Sequence, residues 1–250
     1  MNTDMKKLLP PLVLALAAVL LLAVSCDDFS IVNPYKDTLK CQLEGNTLTC
    51  QTFAYTHTYT LTEGEQVTTV EFTHFPDNEE EFKAVQEQLL GHSRPGTLAL
   101  CLFSFEMYRR DRKVGEKCLK LCNLSANATI TLSRISQKFP SNRFEKSEDP
   151  YVQPYLVATY LKGATEANHY TPDTPYVLTF TYNDNPNLLQ GENSSTYQGH
   201  IYYYNVSWNG DGQRNADVLV PDDGSLVMVH GCANLVLGVP SVSGWEDELQ

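Results

Sequence analysis

Two hundred and fifty residues, 42% of them hydrophobic, can bury a substantial core, and the length favours one large domain or two small ones, one domain being the default. A formal net charge of −12 argues against nucleic acid or an anionic lipid surface as partner, because both are met through a basic face that releases counterions. Common enzyme motifs are missing as well: Gly-x-Ser-x-Gly, a Walker loop, His-Glu-x-x-His, Cys-x-x-Cys and a Gly-x-Gly-x-x-Gly after a strand, so no catalytic residue and no cofactor is assigned.

At the amino end, Lys6-Lys7 precede an uncharged run from Leu8 to Val24, followed by Ser25 and then Cys26-Asp27-Asp28. This is the charged, apolar and small-residue order of a secretory signal. The run is at the lower limit for a membrane-spanning helix, and Pro10-Pro11 shorten the usable part, so the segment reads as a targeting signal over 1–25. Ala23-Val24-Ser25-Cys26 resembles the lipobox of bacterial lipoproteins, in which the cysteine thiol receives a diacylglycerol before a peptidase cuts ahead of it. The resemblance covers residues 1–28. It implies a lipid on Cys26 and attachment to a membrane of the cell envelope, the outer membrane or cell surface in preference to the inner. An ordinary signal cut after Ser25 or Cys26 is the alternative. Residues 26–36, with Asn33-Pro34, form the tether, and the folded part starts near Asp37.

Cysteine parity fits export. Seven is odd, and removing Cys26 leaves Cys41, Cys50, Cys101, Cys118, Cys122 and Cys232, which an oxidising compartment allows to pair. Gly45-Asn46 suits a two-residue hairpin loop, and pairing about it sets Cys41 opposite Cys50 in a non-hydrogen-bonded pair. Such pairs hold their Cα atoms about 4.5 Å apart, within disulfide reach. A Cys41–Cys50 bridge is therefore predicted, pinning register more than adding chain entropy.

Beyond the hairpin, Phe53, Tyr55, His57, Tyr59 and Leu61 share one strand face, and a turn near Glu63-Gly64-Glu65-Gln66 leads to a strand over 67–75. Pairing Tyr59 with Phe72 and Leu61 with Val70 brings His57 to His74. An amphipathic helix spans about 78–90: Asp77 or Asn78 caps it, Glu79, Glu80 and Glu81 meet its positive end, and Phe82, Val85 and Leu89 line one face. Strands are then expected over Thr97–Tyr108 and Lys117–Ile135, separated by a basic turn at 109–113. On that reading Cys118 and Cys122 share a strand face, and Cys101 bonds one of them while Cys232 bonds the other. Residues 136–154, with Pro140, Pro150 and Pro154, mark a long loop or a division into two halves. Strands follow at Tyr155–Leu161, Tyr176–Tyr182, His200–Trp208, Val218–Val220 and Ser225–His230. The fold class is thus mainly β: an antiparallel sandwich or barrel-like sheet with one amphipathic helix over about 78–90, in a domain spanning 37–250.

Polar clusters are few. Asn209, Asp211, Asn215 and Asp217 resemble part of an EF-hand loop, but aligning Gly212 with its glycine puts Val218 where a carboxylate is needed, so a plain turn is the reading and no metal is assigned. His57 with His74 offers two nitrogens and nominates no third ligand, so packing at a sheet margin is the reading. Tyr202, Tyr204, Val206 and Trp208 share a core-facing side of one strand, leaving Tyr203 as the aromatic available to a ligand. Asn123, Asn127, Asn193 and Asn205 begin Asn-x-Ser/Thr sequons, which would matter in a eukaryotic secreted glycoprotein. The function expected is a lipid-anchored binding module of the envelope, its ligand a glycan or a protein. A tethered hydrolase with dispersed carboxylates, a structural subunit of a surface assembly and a eukaryotic secreted glycoprotein are the alternatives.

Overall fold

The computed structural model describes residues 38–139, 152–185, 187–188, 191, 193–194, 196–209, 214–236, 238–240, 242 and 249. The secretory segment, Cys26, the tether and Asp211 lie outside the described residues. From Leu39 onward the chain is one unit.

Alternation of apolar and polar residues builds the sheet. β1 (Lys40–Glu44) and β2 (Thr47–Gln51) pair in the expected register, Glu44 opposite Thr47 and Cys41 opposite Cys50, around Gly45 at φ 61°. The two cysteines are bonded, with Cα atoms 4.1 Å apart. β3 (Thr56–Glu63) and β4 (Val67–Phe72) pair Tyr59 with Phe72 and Leu61 with Val70, again as the pattern predicts. β5 (Tyr176–Tyr182), β6 (Asn193–Ser194), β7 (Gly199–Val206), β8 (Arg214–Pro221) and β9 (Met228–Gly231) continue the sheet. The order is β1-β2-β3-β4-β5-β7-β8-β9, with β6 against β7, and every pairing is antiparallel. β4 hydrogen-bonds β5, so one sheet runs across the sequence on both sides of residues 136–154. No pairing joins β1 to β9 among the described residues, so the sheet does not close into a barrel. Leu48, Tyr59, Val70, Phe72, Leu178, Phe180, Tyr204, Val206, Ala216, Val218 and Val229 are all buried.

The expected amphipathic helix is α1 (Glu79–Gln88). Asn78 caps it, its side-chain oxygen accepting from the Glu81 amide at 2.9 Å, and Phe82 and Val85 turn inward. Three further helices stand where strands were expected. α2 (Arg94–Arg110) is buried at every position from Pro95 to Arg109. A run that is apolar on all sides fits a buried strand and a buried helix equally, and here the helix forms because neighbours surround it. Phe103 on α2 meets Phe72 at 4.7 Å, Phe75 at 5.6 Å and Tyr59 at 6.0 Å between ring centroids, which seats the helix on the sheet. Ser93 followed by Pro95 was the legible start signal, for Ser93 accepts from the Gly96 amide at 3.3 Å.

The basic turn at 109–113 is instead a helix junction. Asp111 accepts from the amides of Lys113 and Val114 and so caps α3 (Arg112–Cys122). Gly115, Cys118, Leu119 and Cys122 form its buried face; a spacing of four is compatible with both helical and strand periods, which is why Cys118 and Cys122 read as a strand face. A Cβ on Gly115 would fall 2.1 Å from the Tyr108 backbone, so glycine lets α2 and α3 touch. α4 (Ser125–Ile135) buries Ala128, Thr131 and Ile135. Between α3 and α4, Asn123 bridges to Val229 and the Leu124 amide bonds the Val229 carbonyl at 3.0 Å, covering the β9 edge. Tyr155–Leu161 is a turn and a 3-10 segment (Ala158–Tyr160) instead of a strand, since Pro154 opens it and the Tyr160 hydroxyl reaches the Leu235 carbonyl at 2.7 Å.

Two buried polar features complete the core. Glu106 on α2 is inaccessible to solvent and accepts from Arg109 Nε and Nη2 at 2.8 and 2.6 Å and from Arg110 Nε at 2.8 Å. Cys101, Cys118, Cys122 and Cys232 are buried free thiols, correcting the expected pairing. Asn123 gathers three of them: its Nδ2 donates to Cys122 Sγ at 3.4 Å and lies 3.9 Å from Cys101 Sγ, while Cys232 Sγ donates to its Oδ1 at 3.3 Å. Cys118 lies one turn before Cys122 on the same face of α3, near Glu79 and Lys83, and has no hydrogen bond to Asn123.

Candidate functional site

The β3–β4 turn, the start of α2 and the ends of β5 and β7 enclose a cleft of about 380 Å³. Glu63, Gly64, Glu65 and Gln66 form its exposed rim, while Thr68, Pro95 and Tyr204 are buried in its walls. Arg94 and Tyr182 complete the lining. Local chemistry fixes this arrangement. Gly64 donates to the Val67 carbonyl at 3.0 Å to close the turn, and the Tyr182 amide bonds the Gln66 carbonyl at 2.8 Å, tying turn to β5. Ser93, while capping α2, donates its hydroxyl to Glu63 Oε1 at 2.6 Å. The rim is thereby anchored to the helix.

Arg94 is the charged feature of the cleft. Its guanidinium carbon lies 4.3 Å from the Tyr202 ring centroid and 6.0 Å from that of Tyr182, and Tyr182 meets Tyr204 edge to face at 5.6 Å. Among the described residues no carboxylate forms an ion pair with it. The cation is held by aromatic faces, which leaves its planar N–H edge able to meet a ligand oxygen. Burial pushes the Tyr204 hydroxyl up to about 12, with Arg94 opposing and Tyr182, Glu63 and Tyr202 adding to the rise, so this phenol stays neutral and can donate. A cationic fork, phenolic rings and carboxylate rim in a volume of this size suit a small, hydroxyl-rich ligand.

Sequence reasoning placed Tyr202 and Tyr204 on the inward side of β7, where they stand, and missed Arg94, whose partners come from strands far away in sequence. Tyr203 faces the other side of the sheet, half-buried and opposite Asp217. Asp217 accepts from His230 Nδ1, with Tyr197 edge-on to that imidazole at 5.6 Å. The EF-hand-like residues are not a loop cluster: Asn215 and Asp217 are strand residues of β8, Asn215 accepts from Asn234 at 2.7 Å, and Asn209 donates to the Leu161 carbonyl at 3.0 Å. His57 and His74 do meet, their rings stacked at 4.5 Å. Asn123, the first sequon, is only 1% exposed and engaged with thiols, which closes that position to a glycan in the folded state.

The arrangement defines a class: an antiparallel sheet with helices packed on it and a tyrosine-walled cleft at the helix-sheet junction. Residues 74–239 match a family described as a domain of unknown function, DUF6935, and the chain belongs to that family. The matched segment carries Arg94, Tyr182 and Tyr204 of the cleft together with Tyr202 behind Arg94, and leaves out the disulfide hairpin, β3, β4 and the Glu63–Thr68 side of the cleft. No curated protein and no solved structure matches the chain. Among the described residues no helix is long and apolar enough to cross a membrane.

Proposed function

We propose that this protein is an exported lipoprotein, cut before Cys26 and held at an envelope membrane by lipid on that cysteine, whose folded part binds a glycan in the Arg94 cleft. The outer membrane or cell surface is the location proposed. The observation that carries the binding reading is an arginine cradled by Tyr182 and Tyr202 without an ion pair among the described residues, in a cleft sized for one or two sugar units. Arginine and carboxylate rims hydrogen-bond sugar hydroxyls or acids, and tyrosine rings stack on the apolar faces of pyranose rings. The Cys41–Cys50 disulfide supports passage through an oxidising compartment, and the Lys6-Lys7 to Cys26 pattern supports lipid attachment.

Two experiments test the two halves. Metabolic labelling with a fatty-acid analogue should mark the wild type and leave Cys26→Ala unlabelled; equal labelling of both refutes the anchor. A glycan array probed with the mature chain should give hits enriched in acidic sugars that disappear with Arg94→Ala. Hits retained by that variant, or an empty array, refute the cleft.

A further inference from the structure

We propose that His57, Asp77 and Glu81 form a binding site for a divalent transition metal of the zinc class. One ligand atom from each of the three lies within 4.8 Å of the others. His57 comes from the start of β3, while Asp77 and Glu81 flank the Asn78 cap of α1, so the sheet–helix contact itself assembles the group. Glu81 and His57 are buried and Asp77 is exposed, which gives the site a closed floor and an open side for entry.

The charge balance at this place favours a cation. Glu81 accepts from His57 Nδ1 at 2.8 Å, Tyr59 at 2.9 Å, the Asp77 amide at 2.9 Å and Tyr55 at 3.2 Å. Asp77 places a second carboxylate beside it, and among the described residues no lysine or arginine pairs with either. Beside the group, His74 Nδ1 is buried with no hydrogen-bond partner, its ring stacked on His57. One divalent ion would neutralise the two carboxylates.

Donor chemistry sets the class. Imidazole nitrogen with carboxylate oxygen suits zinc and its neighbours, whereas calcium and magnesium prefer oxygen alone. On binding, the metal takes the place of the His57 Nδ1 proton, which moves to Nε2. Tyr55, Tyr59 and the Asp77 amide then remain as outer donors orienting Glu81.

The test uses the full chain purified after export and stripped by a chelator. Titration calorimetry should find one Zn²⁺ per chain and no uptake of Ca²⁺ or Mg²⁺ at the same concentration. Co²⁺ in place of Zn²⁺ should give ligand-field bands without a thiolate charge-transfer band, separating this site from the Cys101, Cys122 and Cys232 thiols. Asp77→Asn, at an exposed position, should keep the unfolding midpoint of the metal-free protein and weaken Zn²⁺ by at least about tenfold. Absence of Zn²⁺ uptake, a thiolate band, or wild-type affinity in Asp77→Asn overturns the proposal. Glycan binding is read separately and through other residues, so either result leaves the cleft reading to its own test.

Discussion

Glu106→Ala probes the energetics of the core most sharply. Glu106 has no solvent exposure, and the Arg109 side chain beside it is 3% exposed, so removing the carboxylate strips a buried guanidinium of two charge-assisted hydrogen bonds. Breaking one side of a buried pair costs about 3–5 kcal/mol, because the remaining charge stays desolvated. Arg110 is 20% exposed but its Nη2 is buried without a partner, so it too loses its one carboxylate contact at a cost, and about 3–5 kcal/mol is the expected total. Urea unfolding followed by far-ultraviolet circular dichroism should show a lower midpoint at unchanged slope, and Glu106→Gln should fall between wild type and Ala. A loss below about 1 kcal/mol, the value of an exposed pair, would refute the reasoning.

Three further outcomes follow from the same geometry. Denatured, unreduced mature protein should titrate four thiols with Ellman's reagent and the native protein none, because Cys101, Cys118, Cys122 and Cys232 are buried and free; burial, reinforced by Glu79, pushes the Cys118 thiol up to about 12. Replacing Cys41 and Cys50 together by Ala should cost about 2 kcal/mol in denaturant unfolding, the low end for a disulfide, since the bridge spans nine residues. Burial raises the Asp217 carboxyl above its ordinary value and His230 only partly offsets this, so its share of stability is present at acid pH and lost as pH rises through the raised value. Unfolding of wild type and Asp217→Asn at about pH 4 and about pH 7 should therefore show the wild type relatively more stable at the acid end.

Strand pairing was legible wherever apolar residues alternated and a turn dipeptide fixed register. Gly45-Asn46 determined Cys41 opposite Cys50, and Tyr59 opposite Phe72 followed from pattern matching alone. The helices α2, α3 and α4 were not, because Thr97–Tyr108 carries no period when every side is buried, and a Cys118–Cys122 spacing fits two periods at once. Ser93-Arg94-Pro95 held the corrective signal: a cap and a first-turn proline ahead of a long apolar run. The cleft was illegible for another reason. Arg94 meets Tyr182 and Tyr202 only through the order β4-β5-β7, which no local spacing encodes.

A crystal structure of the mature chain with an acidic oligosaccharide selected from the array tests the binding claim most directly. Sugar density against the Arg94 guanidinium and the Tyr182 ring, with an acidic group on the guanidinium edge, is the predicted result. An empty cleft with the sugar bound elsewhere, for example on Tyr203 across the sheet, would contradict it.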